Sequence, residues 1–320
     1  MNAENASRPI AVVGSGSIGT AWAVVFARAG HDVVVFDTDA ERLVAAGREF
    51  AAVLARLEDA GLLADVQGCL GRVRFEGDLQ STVATAMHVQ ECAPESLELK
   101  RSIFADLDPL VPADATLASS SSAITCSSFA EDLPGRARCL VAHPANPPYL
   151  LPVVELVPAP FTSSEAVDAV RELMYGAGMS VVALHREIEG FVYNRLQGAL
   201  LREAYCLVRD GVVEPEDVDT IVHDGLGRRW SVLGPFETAH LNTRGGIEAH
   251  ARKLGPAYER MGAERGQYDR WTPELVKRVS SSLEQRLPLE EWGDWVAWRD
   301  RALMTLQRTR ETQPEVFERG

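Results

Sequence analysis

The sequence predicts an α/β protein in two parts, a doubly wound sheet with helices on both faces followed by an all-helical part. Through the first half, short β-rich runs alternate with longer segments of helical periodicity, which is typical of a parallel sheet flanked by helices. After Glu189 every patterned segment is helical and no convincing strand follows. This shift predicts a domain boundary, with domains at residues 1–188 and 189–320.

The strands are predicted from short runs rich in apolar and β-branched residues that end at glycine, aspartate, serine or proline. In chain order, they are Ile10–Val13, Val33–Phe36, Val73–Phe75, His88–Cys92, Thr116–Ser119, Cys139–His143, Val153–Leu156 and Ser180–Leu184.

The helices are predicted from a period near 3.6 residues and from their termini. Gly30 is a good C-terminal stop for the first helix, and Thr162 or Ser163 caps the last helix of the first domain. The helices of the first domain are Ile18–Ala29, Asp39–Leu63, Glu95–Leu107 and Ser163–Ala177. Those of the second domain are Phe191–Arg209, Pro215–Asp224, Gly246–Met261, Pro273–Gln285 and Glu291–Gln307.

Length, composition and charge limit the class of protein. A chain of 320 residues has room for two domains, because cores tend to split beyond about 250–300 residues. The 46 acidic residues outnumber the 32 basic ones, and the net charge of −14 argues against nonspecific binding to nucleic acid or anionic membrane. No apolar run reaches the roughly 18 residues of a membrane span. We therefore expect a soluble globular protein.

Cysteine and histidine spacing gives no sign of a metal site or of a disulfide framework. The five cysteines are odd in number, widely spaced and without a C-x-x-C pair. The histidines never fall three or four residues apart, so no metal-binding helix is predicted. Because the N-terminus also lacks an apolar signal core, the expected location is the reducing cytoplasm.

A glycine-rich turn follows the first strand. Residues 14–19 read G-S-G-S-I-G between a strand and a helix, which is the context of a Rossmann dinucleotide-binding turn. In that motif the first glycine permits a tight turn, the second lets the backbone approach a pyrophosphate, and the third lets the helix pack on the strand. The helix N-terminus then offers free N–H groups to the phosphates. The predicted cofactor-binding residues here are Gly14, Gly16, Ser17, Ile18 and Gly19.

Asp37 indicates which dinucleotide binds. It lies 18 residues beyond Gly19, at the end of the second strand, where a carboxylate binds ribose hydroxyls and repels a 2′-phosphate. The predicted cofactor is therefore NAD. A glycine turn without a ligand, or the same fold with FAD or S-adenosylmethionine, are the alternatives.

Four further segments follow in a fixed order: the serine tract Ser119–Ser122, H-P-A-N-P at residues 143–147, Glu155, and G-F-V-Y-N-R at residues 190–195. Each segment alone has a structural explanation as a turn, a buried histidine or a helix cap. Together, behind an NAD motif, they resemble the 3-hydroxyacyl-CoA dehydrogenase family over nearly the whole chain. The stretches most similar to its lambda-crystallin branch are His88–Cys92, Ser119–Ser122, Ala142–Tyr149, Asp224–Arg229 and Trp298–Asp300.

The resemblance implies the roles of the central residues. His143 resembles the family's general base, and Glu155 the carboxylate that orients it. Ser122 and Asn194 match residues that contact the substrate near the reacting carbon. Three more positions complete the implied site, one for the substrate and two lining the cofactor: Asn146, Glu91 and Lys100.

The implied reaction is NAD-dependent oxidation of the C3 hydroxyl of a free L-3-hydroxy acid, with L-gulonate as the substrate of the branch. A 3-hydroxyacyl-CoA dehydrogenase, a carnitine dehydrogenase and a catalytically silent crystallin-like protein are the alternatives. Residues 38–80, where the family's CoA-contacting arm lies, contain no lysine and eight acids against five arginines, which favours a free acid. We expect its carboxylate to bind Arg228 or Arg229, with Arg195 next, and we expect a homodimer formed through the helical domain.

Overall fold

Eight strands form one sheet in the computed structural model of the protein, which describes residues 8–231, 233–244, 246–265, 274 and 288–314. The strands are β1 (Ile10–Val13), β2 (Val33–Phe36), β3 (Val73–Glu76), β4 (His88–Glu91), β5 (Thr116–Ser119), β6 (Cys139–Pro144), β7 (Val153–Pro158) and β8 (Ser180–Ala183). Their order across the sheet is β3-β2-β1-β4-β5-β6-β7-β8. Strand order reverses between β1 and β4, and ligands of doubly wound sheets bind outside the carboxyl ends of the strands at such a point.

One strand pair departs from the predicted parallel arrangement. β7 runs antiparallel to β6, whereas the other neighbouring strands are parallel. Only residues 145–152 separate the two strands, and a parallel crossover needs about a dozen residues or more. The antiparallel register places His143 directly opposite Glu155. The predicted parallel arrangement therefore holds for β1–β6, whereas β7 and β8 run in the opposite direction. The α/β fold class is confirmed.

Helices cover both faces of this sheet. The helices of this part are α1 (Ser17–Arg28), α2 (Ala40–Asp59), α3 (Val66–Arg72), α4 (Leu79–Val83), α5 (Leu97–Leu107), α6 (Cys126–Ala130) and α7 (Ser164–Gly176). Side-chain caps fix several of their N-termini. Asp39 accepts hydrogen bonds from the amides of Glu41 and Arg42 at the start of α2, and Ser163 caps α7.

The core of this part lies on both sides of the sheet. On one side, the fully buried rings of Trp22 and Phe26 stack at a centroid distance of 5.2 Å beneath the strands. On the other side, Phe104 and Phe129 pack at 4.5 Å. Each such ring stabilises the fold by about 1.5–3 kcal/mol through burial, so the strands are held rigidly from both faces.

The rest of the described chain is helical. Its helices are α8 (Tyr193–Arg209), α9 (Pro215–Thr220), α10 (Arg228–Trp230), α11 (Pro235–Asn242), α12 (Gly246–Arg265) and α13 (Trp292–Thr312), with a π-helical segment at Ile221–Gly227 and a 3₁₀ turn at Leu289–Glu291. The sequence prediction missed α11, which begins with Pro235 and where Glu237 accepts a hydrogen bond from the Gly234 amide. The predicted helix Pro273–Gln285 lies, apart from residue 274, outside the described residues.

The described chain divides into two compact units. Residues 8–195 and 300–312 form one, called here the sheet unit. Residues 196–299, with 313 and 314, form the other, called the helical unit. The division therefore differs from a single boundary at residue 188, because residues 300–312 of the last described helix belong with the sheet unit. None of the described helices combines the length and the hydropathy that a membrane-spanning segment requires.

Candidate active site

The glycine turn at residues 14–19 has the backbone geometry that a phosphate-binding turn needs. Gly14 has φ +105°, and a Cβ there would lie 2.9 Å from the carbonyl carbon of Cys92. At Gly19 a Cβ would clash with the Gly14 carbonyl oxygen. A Cβ at Gly16, in contrast, would meet no atom within 4 Å. Gly14 and Gly19 are thus required by the chain's own packing, while Gly16 leaves an open face that a pyrophosphate can approach.

Helix α1 begins at this open face, and its cap residue has no side chain that could compete with a phosphate for the first amides. Gly16 is its N-cap residue and provides no side-chain hydrogen bond, and the first turn contains no acidic residue. The first amides, including those of Ser17 and Ile18, have no intrahelical acceptor, and the helix dipole favours an anion there. These residues fit the phosphates of a dinucleotide.

Asp37 lies beside the turn, at the end of β2. Its Oδ2 accepts hydrogen bonds from the amide and the hydroxyl of Ser15, at 2.9 and 2.8 Å, and its Oδ1 accepts one from the Asp39 amide at 3.1 Å. Partial burial alone would raise the pKa of Asp37, but these hydrogen bonds outweigh it and lower the pKa below its ordinary value. The group is therefore a carboxylate at neutral pH, as binding of ribose hydroxyls requires.

His143 and Glu155 form a buried dyad on the paired strands β6 and β7. The imidazole Nδ1 lies 2.8 Å from Glu155 Oε2, and the two residues are 6% and 3% exposed. A buried carboxylate accepts hydrogen bonds, so the network assigns the proton to Nδ1. Nε2 is then unprotonated, and among the described residues it has no hydrogen-bond partner. It is an acceptor available to a substrate.

The second oxygen of Glu155 is also occupied. Its Oε1 accepts hydrogen bonds from the amides of Val192 and Tyr193, at 2.8 and 3.0 Å, at the start of α8. Burying a carboxylate is costly unless its oxygens are hydrogen-bonded, and here both oxygens are. The carboxylate is thereby fixed in the orientation that holds the imidazole.

Ser122 and Asn194, predicted to act together, are joined in the structure. The side-chain amide of Asn194 donates to the backbone carbonyl of Ser122 at 2.8 Å. The Ser122 side chain is exposed, and its hydroxyl has no described partner. Asn194 comes one residue after Tyr193, which binds Glu155 through its amide. The loop after β5 and the start of α8 therefore meet near the dyad.

Glu95 organises the serine tract, and the sequence reasoning missed this role. Its Oε1 accepts hydrogen bonds from the Ser121 hydroxyl at 2.6 Å and from the amides of Ser122 and Ala123 at 3.0 and 3.1 Å. Partial burial alone would raise its pKa, but these hydrogen bonds and the charge of Lys100 lower it. Its position in the sequence could have indicated this role, because Glu95 lies just beyond the carboxyl end of β4, at the switch point of the sheet.

Glu91 and Lys100 form a buried ion pair. Lys100 Nζ lies 2.9 Å from Glu91 Oε2, and the two residues are 1% and 0% exposed. The Glu91 carboxylate also accepts a hydrogen bond from the Ala93 amide at 2.6 Å. As placed, the pair supports the loop after β4. Contact between the cofactor and either side chain stays a prediction.

A buried polar chain lies under the serine tract. The Gln90 and Trp22 side-chain N–H groups donate to the Ser120 hydroxyl at 2.7 and 3.1 Å. Gln90 in turn accepts from His88 Nε2 at 3.1 Å, and the Thr116 hydroxyl lies 2.7 Å from His88 Nδ1. Burial lowers the pKa of His88 to about 4, so this imidazole is neutral.

The remaining predicted residues are not joined to the dyad by any described contact. Asn146 is exposed, and no described hydrogen bond involves its side chain. Arg228 and Arg229 are exposed residues of α10 in the helical unit. Arg195 is the last residue of the sheet unit before α8 continues, and its guanidinium lies 3.5 Å from the Glu189 carbonyl. Their roles stay predictions.

Comparison with known proteins gives matches along almost the whole chain. Residues 9–188 match the family model for the 3-hydroxyacyl-CoA dehydrogenase NAD-binding domain, and residues 190–282 match that for its C-terminal domain. A lambda-crystallin homolog of Bos taurus is 40% identical over 311 residues, which are 96% of this chain and 97% of that protein.

Two further matches are enzymes. An L-carnitine dehydrogenase of Streptomyces griseus is 35% identical over 316 residues, covering 97% of this chain and 92% of that protein. The crystal structure of 5-formyl-3-hydroxy-2-methylpyridine 4-carboxylic acid 5-dehydrogenase, an NAD⁺-dependent dismutase, superimposes with a TM-score of 0.83. It is 28% identical and covers 95% of this chain and 98% of that chain.

Proposed function

The chain belongs to the 3-hydroxyacyl-CoA dehydrogenase family and is an NAD-dependent dehydrogenase, and we propose that it oxidises the C3 hydroxyl of a free L-3-hydroxy acid. L-gulonate, oxidised to 3-dehydro-L-gulonate, is the proposed substrate, because the chain resembles the lambda-crystallin branch and is 40% and 36% identical to the lambda-crystallin homologs of Bos taurus and Rattus norvegicus. The observation that carries the proposal is the buried dyad of His143 and Glu155, with Nε2 available as an acceptor.

NAD supplies the hydride acceptor for this reaction. In the proposed step, Nε2 of His143 takes the proton of the C3 hydroxyl, and the imidazole becomes an imidazolium. The Glu155 carboxylate, 2.8 Å away, stabilises that charge and keeps the ring in place. General base catalysis of this kind contributes about 10²–10⁴-fold. The exposed Ser122 hydroxyl and the Asn194 amide would contact the oxygen at the reacting carbon.

The charges near α2 support a free acid rather than a CoA thioester. A thioester of CoA carries phosphates that need clustered cations. In residues 38–80, three of the five arginines already lie within 4 Å of a carboxylate. These pairs are Arg42 with Asp39, Arg56 with Glu49, and Arg72 with Asp65. Their charges are compensated within the protein, which leaves little positive charge for a polyphosphate.

We further propose that Arg228 or Arg229 binds the substrate carboxylate, since a guanidinium matches the planar carboxylate fork. Both side chains are exposed. Replacing each separately by Met tests the assignment with L-gulonate and L-3-hydroxybutyrate. A rise in KM shared by both acids in one variant supports the clamp. Unchanged KM values in both variants eliminate the pair and leave Arg195 as the next residue to test.

NADH production from four compounds tests the substrate class: L-gulonate, L-3-hydroxybutyrate, L-carnitine and 3-hydroxybutyryl-CoA. We expect the highest kcat/KM with L-gulonate. The 35% identity with an L-carnitine dehydrogenase makes L-carnitine the second candidate. A far higher kcat/KM for the CoA thioester than for every free acid would overturn the proposal, and so would the absence of turnover with all four compounds.

A homodimer formed through the helical unit is also proposed. Apolar side chains of α11 and α12 lie on the surface, with Phe236 at 81% exposure near Leu241 and Ile247. Contiguous exposed apolar groups of this kind are typical of an interface. Sedimentation of Phe236→Asp is the test. We expect a dimeric wild type and a monomeric variant, and equal masses for the two proteins would contradict this interface.

A further inference from the structure

The chain adopts an uncommon backbone conformation just before α8. Gly190 has φ +73° and Phe191 has φ +50°, so two successive residues are left-handed. Among the described residues, Phe191 is the only residue other than glycine with a positive φ. Bulky L-residues disfavour this region, and glycine would adopt it with less strain. Phe191 has this conformation with its side chain fully buried, so the packing of its ring offsets the backbone strain.

This conformation directs backbone amides at the catalytic carboxylate. The next two N–H groups, of Val192 and Tyr193, converge on Glu155 Oε1 at 2.8 and 3.0 Å. Successive N–H groups of a turn can converge on one anion, and residues 189–192 form a turn. The left-handed pair therefore determines the direction of two of the three hydrogen bonds described for the carboxylate, and the third comes from the imidazole.

The Phe191 ring contacts the other member of the dyad. Its side chain is 0% exposed, and its ring centroid lies 5.5 Å from that of the His143 imidazole at an interplanar angle of 55°. The imidazole is thus held at Nδ1 by Glu155 and beside its ring by Phe191. The same short segment acts on both members of the dyad, once through its backbone and once through its side chain.

We propose that Gly190 and Phe191 are positioning residues for the dyad. The left-handed backbone holds the amides on Glu155, and the ring restricts the imidazole, so that Nδ1 stays protonated and Nε2 stays open to the substrate. The kinetic part of this inference rests on the proposed function. A purely structural role in the core is the alternative, and matched variants separate the two.

Gly190→Ala with Gly178→Ala is the first matched pair. Gly178 has φ +77°, close to the value at Gly190, and a Cβ there would meet no atom within 4 Å. At Gly190 a Cβ would lie 3.6 Å from Arg195 Cγ, an ordinary contact. Both substitutions therefore strain the backbone without a clash, and only the one at residue 190 alters the amides that bind Glu155.

Phe191→Leu with Phe129→Leu is the second matched pair. Both rings are buried in the same apolar cluster, but Phe129 packs against Phe104 rather than against the dyad. We expect similar losses of Tm within each pair. We expect kcat to fall by about tenfold to a hundredfold only in the variants at residues 190 and 191, with KM for NAD unchanged.

Side-chain ¹⁵N NMR of His143 gives a readout that needs no substrate. We expect one Nδ1–H tautomer in the wild type and in both controls, and a mixture of tautomers in Gly190→Ala and Phe191→Leu. Wild-type tautomer and kcat in those two variants would overturn the positioning role, as would equal kcat losses in the controls. If the wild type oxidises none of the four compounds, the proposed function fails, and the tautomer result still decides the structural part.

Discussion

The sheet unit buries its apolar side chains, whereas the helical unit leaves many of them on its surface. The two apolar clusters that contain the fully buried rings of Trp22, Phe26 and Phe104 lie in the sheet unit. In the described part of the helical unit, the buried residues are Cys206, Val208, Pro215 and Thr238. The cofactor turn and the dyad therefore lie on the part of the chain that is stabilised by its own core.

Truncating one ring in each unit tests this contrast with the largest expected effect. Phe104→Ala removes a ring that is 0% exposed and should lower the free energy of unfolding by about 3–5 kcal/mol. Phe236→Ala, at a residue 81% exposed, should change it by less than about 0.5 kcal/mol at concentrations where the chain is monomeric. Denaturant titrations at two protein concentrations measure both.

The dependence of Tm on protein concentration is a second test of this contrast. If a second copy covers Phe236, the wild-type Tm rises with protein concentration and the variant's Tm rises less. Equal losses in the two variants at low concentration would contradict the contrast between the units.

The pH dependence of stability is the next test, through the buried His88 of the sheet unit. Its pKa is about 4 in the folded chain against 6.5 ordinarily, because burial disfavours the imidazolium. Between these values the unfolded chain binds more protons, so stability falls as pH drops from 6.5 toward 4, by up to about 3 kcal/mol. Urea titrations from pH 7 to pH 4 measure the slope.

His88→Gln should remove that slope, whatever its effect on stability at pH 7. The matched control is His223→Gln, because His223 is an exposed residue of the helical unit and its loss should leave the slope unchanged. A wild-type slope in His88→Gln, or a flattened one in His223→Gln, would contradict the assignment of this pH dependence to the buried imidazole.

Asp37→Ala tests cofactor choice rather than stability. The substitution removes a ribose acceptor and the repulsion of a 2′-phosphate, so the preference for NAD over NADP should shrink by about 1–3 kcal/mol. The ratio of kcat/KM values for the two cofactors measures it. Ser15 also loses its hydrogen-bond acceptor in this variant, so Ser15→Ala is the control for a displaced turn. An unchanged preference in Asp37→Ala would show that Asp37 only shapes the turn.

Much of the sheet could be predicted from the sequence because its strands are short, apolar and sharply bounded. The predicted strands Ile10–Val13, Val33–Phe36 and Thr116–Ser119 have the observed bounds. The helices α3, α4 and α6 were missed because they have seven, five and five residues, less than two turns, and so provide no measurable period.

The parts of the site that depend on residue type could be predicted from the sequence. The parts that depend on the conformation of loops could not. The pairing of His143 and Glu155 was implied by the family resemblance, and the antiparallel register of β6 and β7 supplies its physical basis. The amides that bind Glu155, and the carboxylate of Glu95 under the serine tract, depend on loop geometry. Hydrophobic periodicity contains no information about either.

His143→Ala tests the central claim, that the sheet unit carries both a separate cofactor turn and a base that removes the substrate proton. We expect kcat to fall by about 10²–10⁴-fold with the best substrate of the panel, while the Kd for NAD stays unchanged. Glu155→Gln should cost less, since the base remains but is held less well. Near-wild-type turnover of His143→Ala would contradict the account.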